Sequence, residues 1–189
     1  MNRLSHLIQP RIHLEASAFF KRSYYMWLNF VFNRVDTSRI EEFGPDRVAA
    51  EWVLRNGGGI KFMQQNKWIW NYNALEMGPT EKFKLQKIDG KGTCITTGGL
   101  EHLVGLEHLD YLSLHDCKYV TDVTKIQHVK ETLLDLDIAN CSAITDIMPL
   151  GQLKILKRLN ISGTTRIKNR QDAIQDLQKI LPQCEIISE

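Results

Sequence analysis

No apolar run in this 189-residue chain is long enough to cross a membrane, which takes about 20 residues; the most apolar stretch, Tyr24 to Phe32, falls well short. The start of the chain also lacks the roughly 7–15 continuous apolar residues of a secretory signal. Blocks of like charge are missing too. The 24 Lys and Arg and 22 Asp and Glu alternate along the sequence to a net +2, which gives no general case for nucleic-acid binding. The six histidines (His6, His13, His102, His108, His115, His128) are dispersed, and no Cys/His cluster has structural-zinc spacing. His115-x-Cys117 comes nearest, and there the cysteine has already left the strand. Asn56-Gly57-Gly58-Gly59 has no Lys-Ser/Thr after it, so it reads as a turn rather than a phosphate loop. Nucleophile-elbow, metalloprotease and dinucleotide motifs are absent as well. The chain reads as non-enzymatic, with its 43% hydrophobic content sufficient for one cored domain.

What is present is a repeated phrase. Leu109-x-x-Leu112-x-Leu114-x-x-Cys117-x-x-Val120-Thr121-Asp122 returns as Leu133-x-x-Leu136-x-Ile138-x-x-Cys141-x-x-Ile144-Thr145-Asp146 and then as Leu156-x-x-Leu159-x-Ile161-x-x-Thr164-x-x-Ile167, at offsets of 24 and 23 residues. A degenerate copy, Leu85-x-x-Ile88-x-Gly90, precedes them, and a truncated one, Leu181-x-x-Cys184-x-Ile186, closes the chain. The period is that of leucine-rich repeats. Alternation within Tyr111-Leu112-Ser113-Leu114-His115 sends the leucines inward and Tyr111, Ser113 and His115 outward. Each repeat is then one short strand with an apolar return (Val123, Ile126, Val129; Ile147, Leu150, Leu153), and the copies stack in parallel because none can bury its leucines alone. The expected fold is α/β: a short leucine-rich solenoid of four to five strands, spanning residues 85–189.

Cys94, Cys117, Cys141 and Cys184 sit at or near repeat positions and read as reduced, mostly buried thiols of a reducing compartment, cytosol or mitochondrial matrix. Asn140-Cys141-Ser142 and Asn160-Ile161-Ser162 match the glycosylation pattern, but without a secretory signal it carries no meaning. Residues 1–22 hold Arg3, Arg11, Lys21 and Arg22 against a single acid, Glu15, and read as a mitochondrial presequence.

Residues 23–84 do not follow the repeat and read as a Trp-rich helical cap over the first strand, which a solenoid must cover. Tyr24 to Phe32 either belongs to that cap or lies on a membrane or in a partner's groove. A helix opens at Gly44-Pro45-Asp46, with proline in its first turn, and ends at Arg55 and Gly57; Val48, Ala49, Trp52 and Val53 form its inner face. Gly78-Pro79 breaks the chain before the first strand. The outward strand positions stack in columns: Lys87, Tyr111, Asp135, Arg158; Asp89, Ser113, Asp137, Asn160; and Lys91, His115, Ala139, Ser162. Such a concave face of mixed charge suits a protein partner, with Tyr111, Asp135, Asp137 and Arg158 at its centre; the alternative docking element is the cap, through Trp27, Phe30 and Phe32.

Outside the repeat, Trp27-Leu28-Asn29-x-Val31-Phe32-Asn33-x-Val35-Asp36, Gly44-Pro45-Asp46-Arg47-x-Ala49-x-Glu51-Trp52-x-Leu54-Arg55-x-Gly57, Trp68-x-x-x-Tyr72-Asn73-x-Leu75-x-x-Gly78-Pro79 and Lys84-x-Gln86-x-Ile88-Asp89 resemble the mitochondrial ATP synthase subunit s (coupling factor B) family. The similarity runs from about residue 24 to the C-terminus. A related branch is the assembly factor of the complex I distal membrane arm. The resemblance implies a non-catalytic factor on the matrix side of the inner membrane, peripheral through its protein contacts, that is needed for coupled proton conduction and blocks a proton leak. The implied partner is the ATP synthase, or another inner-membrane respiratory complex on the rival reading. A further rival, a leucine-rich substrate adaptor of a ubiquitin ligase, would need an F-box module that the Trp-rich segment does not resemble. The resemblance also implies a divalent cation, magnesium, on backbone atoms at Gly57 and at a threonine position that is Lys91 here. It implies no other cofactor. The Cys-x-Cys dithiol of mammalian members is reduced here to His115 and the single thiol of Cys117.

Overall fold

The computed structural model describes residues 27–63, 65–75 and 83–189. The basic segment 1–22 and Gly78-Pro79 lie outside these residues. The described chain is α/β, with six strands in strict sequence order: β1 (Gly59–Phe62), β2 (Leu85–Asp89), β3 (Tyr111–Ser113), β4 (Asp135–Asp137), β5 (Arg158–Asn160) and β6 (Glu185–Ile187). β2 to β6 pair in parallel, and β1 is antiparallel to β2. Equivalent leucines stand side by side in the register Ile88, Leu112, Leu136, Leu159, all fully buried. Burying each contributes about 1.5–3 kcal/mol. The return segments are 3₁₀ turns at Gly99–Leu103, Thr124–Val129 and Met148–Gln152, which bury Leu100 and Leu103, Ile126 and Val129, and Leu150 on the other side of the core.

The turn after each strand is built identically. Asp89, Ser113, Asp137 and Asn160 each accept, through a side-chain oxygen, the N–H two residues on, at Lys91, His115, Ala139 and Ser162. The left-handed position that follows is Gly92, Asp116, Asn140 or Gly163, residue types that tolerate positive φ. The second column therefore ends strands rather than purely displaying a surface. Ser113, expected outside, is buried, and so is Ala139 of the third column.

Among its described residues the cap holds three α-helices, α1 (residues 27–33), α2 (Thr37–Phe43) and α3 (Pro45–Arg55). Gly44 precedes α3 at φ +77°, Pro45 occupies its first turn, and Gly57 leaves it at φ +84°, as the sequence indicates. Its buried surface is broader than one face, since every residue from Arg47 to Leu54 is buried. Asp46 does more than favour the helix dipole: its Oδ1 accepts the Leu85 N–H at 2.6 Å, pinning the start of β2, and burial raises its carboxyl above the usual range.

The cap is not purely helical. The glycine run expected as a loop runs straight into β1, so the first strand comes well before Gly78-Pro79. Only glycine fits there: a Cβ on Gly58 would lie 2.7 Å from the Asp89 carbonyl oxygen, and one on Gly59 would lie 2.7 Å from the Trp70 ring. Ile60 and Phe62 then point into the core, and a further bridge from Ile60 to Ile69 extends the sheet edge. At the other end α4 (Arg170–Ile180), absent from the sequence reading, packs Leu177 against the last 3₁₀ turn. Arg170 donates to the carbonyls of Thr164 and Ser188 and so ties β6 to the stack.

Candidate docking face

One row crosses the open face of the sheet in register: Lys61, Lys87, Tyr111, Asp135, Arg158, Glu185. Arg158 reaches back to Asp135 with two nitrogens, Nε at 3.0 Å, and this pairing raises the guanidinium pKa further. A depression of about 180 Å³ is lined by Tyr111, Asp135, Asp137, Arg158, Asn160 and Ile187. The structure thus gathers Tyr111, Asp135, Asp137 and Arg158 into one place. Trp27 is elsewhere: it is exposed on α1, which contributes nothing to this lining. Asp137 Oδ2 also lies 3.4 Å from His115 Nδ1, while His115 Nε2 is 3.1 Å from Asn140 Nδ2.

Sequence reasoning missed the aromatic end of this face. Trp68 and Trp70 flank the buried Ile69 and so lie on the same side of the extended edge; their rings stack at 5.9 Å. Trp68 meets Tyr111 edge-on at 6.3 Å, and the Lys87 ammonium stands 5.7 Å from the Tyr111 ring centre. Partial burial raises the Tyr111 phenol pKa. The period-two placement of the tryptophans around an isoleucine was the available signal.

Cys117 sits behind this face, fully buried, and its Sγ–H donates to the Gly90 carbonyl at 3.0 Å. Cys141 repeats the contact to Leu114 at 2.9 Å, and Thr164 does so with a hydroxyl to Ile138 at 2.9 Å. The repeated spacing therefore selects a small buried donor to the preceding turn, beyond mere smallness. Burial pushes the Cys117 thiol up and that of Cys141 up to about 12, which holds both as unreactive thiols. All four cysteines are free, with Cys94 half-buried and the rest buried.

Gly57 and Lys91 are brought near one another. Gly59 pairs with Asp89, so the Gly57-Gly58 and Gly90-Lys91 turns leave the β1–β2 pair side by side. Among the described residues no group of three or more His, Cys, Asp or Glu is placed to hold an ion. A cation here would rest on backbone carbonyls, with Asp89 the acid in the β2 turn and its Oδ1 already accepting the Lys91 N–H at 3.0 Å. Such oxygen donors fit magnesium chemically.

No family model matches the chain. Among curated relatives, "ATP synthase subunit s, mitochondrial" of Homo sapiens is 37% identical over 172 residues, 87% of this chain and 86% of the relative. The Rattus norvegicus and Bos taurus proteins of the same name are 37% and 34% identical over the same shares. With the Trp-rich cap, the stacked Cys-containing turns and this extent of identity together, the chain belongs to the mitochondrial ATP synthase subunit s family.

Proposed function

We propose that this protein is a non-catalytic factor of the mitochondrial ATP synthase that docks through the open face of its sheet. It acts at the matrix side of the inner membrane, held there by protein contacts, and keeps proton flow coupled to ATP synthesis by blocking a leak. Residues 1–22 serve as the import presequence, 23–84 as the cap, and 85–189 as a short leucine-rich solenoid that presents the docking face. The name carried by its relatives supports the partner. The observation that carries the docking site is the continuous row of two stacked tryptophans, Tyr111 and the Asp135–Arg158 pair on one exposed surface. Aromatic and arginine side chains are where interface energy concentrates. A magnesium ion at the Gly57 and Lys91 backbone would tie the cap to the first turn of the stack; its chemistry there would be purely structural.

The test is co-purification from mitochondria. Tyr111→Ala with Arg158→Ala should weaken association with the ATP synthase by about 2 kcal/mol or more, while the unfolding midpoint barely changes. Recovery at wild-type levels would eliminate this face in favour of Trp27, Phe30 and Phe32. Complex I subunits in the eluate would replace the partner.

A further inference from the structure

Three arginines converge at the junction of the cap helices, away from the sheet face. Arg39 and Arg55 each place a terminal guanidinium nitrogen on Glu51 Oε2, at 2.7 and 3.1 Å, and Arg47 Nε reaches Oε1 at 3.1 Å. Glu51 is buried, so its two oxygens are already shared among three cations. Arg34 adds a fourth, exposed, with no carboxylate partner among the described residues. Asp36 is the other acid present, and its Oδ1 accepts the Arg39 N–H at 3.3 Å. Positive charge is in excess.

Arg34, Asp36, Arg39 and Arg55 line a cavity of about 400 Å³ with Val31, Val35, Thr37 and Ser38. A second observation points into the same place. His102 is 5% exposed; one ring N–H faces the Arg34 backbone carbonyl, the other ring nitrogen has no partner, and the ring lines a small polar cavity of about 30 Å³ shared with Arg34, Asp36, Arg39 and Arg55. A space of that size has room for a water that could link His102 to whatever the arginines bind. Buried polar groups are seldom left unpartnered without a reason.

We propose that this cavity binds a phosphate group, held by Arg34, Arg39 and Arg55 with the Thr37 and Ser38 hydroxyls beside them. Guanidinium forks match phosphate oxygens; Arg34 has no carboxylate partner among the described residues, and Arg39 and Arg55 share the single carboxylate of Glu51. The group belongs either to a soluble phosphate compound or to a phospholipid headgroup. Val31 and Phe32, exposed on α1 beside the cavity, are placed for the acyl side of the second source. This site is independent of the sheet face, with which it shares no residue.

The test uses the full chain with two probes: inorganic pyrophosphate by titration calorimetry, and phosphatidylcholine vesicles with or without phosphatidic acid by co-sedimentation. Binding of pyrophosphate in solution supports the soluble source, and binding only to the phosphatidic-acid vesicles supports the lipid source. In either case Arg34→Gln should weaken binding about tenfold. Ser38→Glu, an acid compatible with the first turn of α2, should weaken it at least as much and serves if Arg34→Gln does not fold. The proposal is overturned if neither probe binds, if both variants bind like wild type, or if the distant surface variant Lys154→Gln loses as much.

Discussion

In the stack, Cys117, Cys141 and Thr164 repeat the same small contact to the turn before. In the cap, Asn33 alone accepts from Trp52 Nε1 and the Thr96 N–H, and its two amide hydrogens are shared among Asn29 O, Asn56 Oδ1 and Cys94 O. Glu51 likewise answers three arginines, and His102 stacks on Trp52 at 5.0 Å. A repeat can satisfy its backbone by copying one local solution, so stabilisation is spread over equivalent residues. A cap is built once, and its polar groups meet at a few buried hubs where one change leaves several partners stranded.

The comparison is tested most severely at Asn33. Asn33→Leu keeps the branched shape in a bulkier side chain but orphans Trp52 Nε1 and the Thr96 N–H, and should cost about 4 kcal/mol in urea unfolding. A loss under about 1 kcal/mol would show that the cap has no hub. Leu136→Ala, at the centre of the stack, should cost about 3 kcal/mol through its cavity. If the equivalent Leu112→Ala and Leu159→Ala cost much the same, the even distribution argued for the stack stands.

A pH effect follows from His102, whose pKa burial lowers from 6.5 to about 4. Above 6.5 the ring is neutral both folded and unfolded. As pH falls from there toward 4, the unfolded chain takes up a proton that the folded one refuses, so stability is lost through that window. The loss should be about 2 kcal/mol between pH 7 and pH 5. In His102→Phe, which keeps a ring on Trp52, that slope should flatten; an unchanged slope would assign it to other groups.

The smallest effects belong to the turn donors. Cys141→Ala should cost about 1 kcal/mol, and Cys141→Thr less, since Thr164 already fills the equivalent place. In the native protein Cys94 should react with a maleimide far faster than Cys117 or Cys141, as read by mass spectrometry. Equal labelling would mean that the stack opens readily enough to expose its buried thiols.

Periodicity is a local property, so the sequence by itself determined the strands from Leu85 onward, their parallel register, the inward leucines and the columns that bring Tyr111, Asp135, Asp137 and Arg158 together. The identity of the family was likewise written in the cap motifs and their spacing. Tertiary structure alone decided that Gly58 and Gly59 begin a strand, because the reason is the closeness of Asp89 and Trp70 in space. It alone placed Trp68 against Tyr111 and buried Ser113. Asn33, Glu51 and His102 look like ordinary polar residues along the chain. Their roles come from partners that no local pattern brings near, since each appears once and its contacts are set by how the cap helices pack on the first repeat.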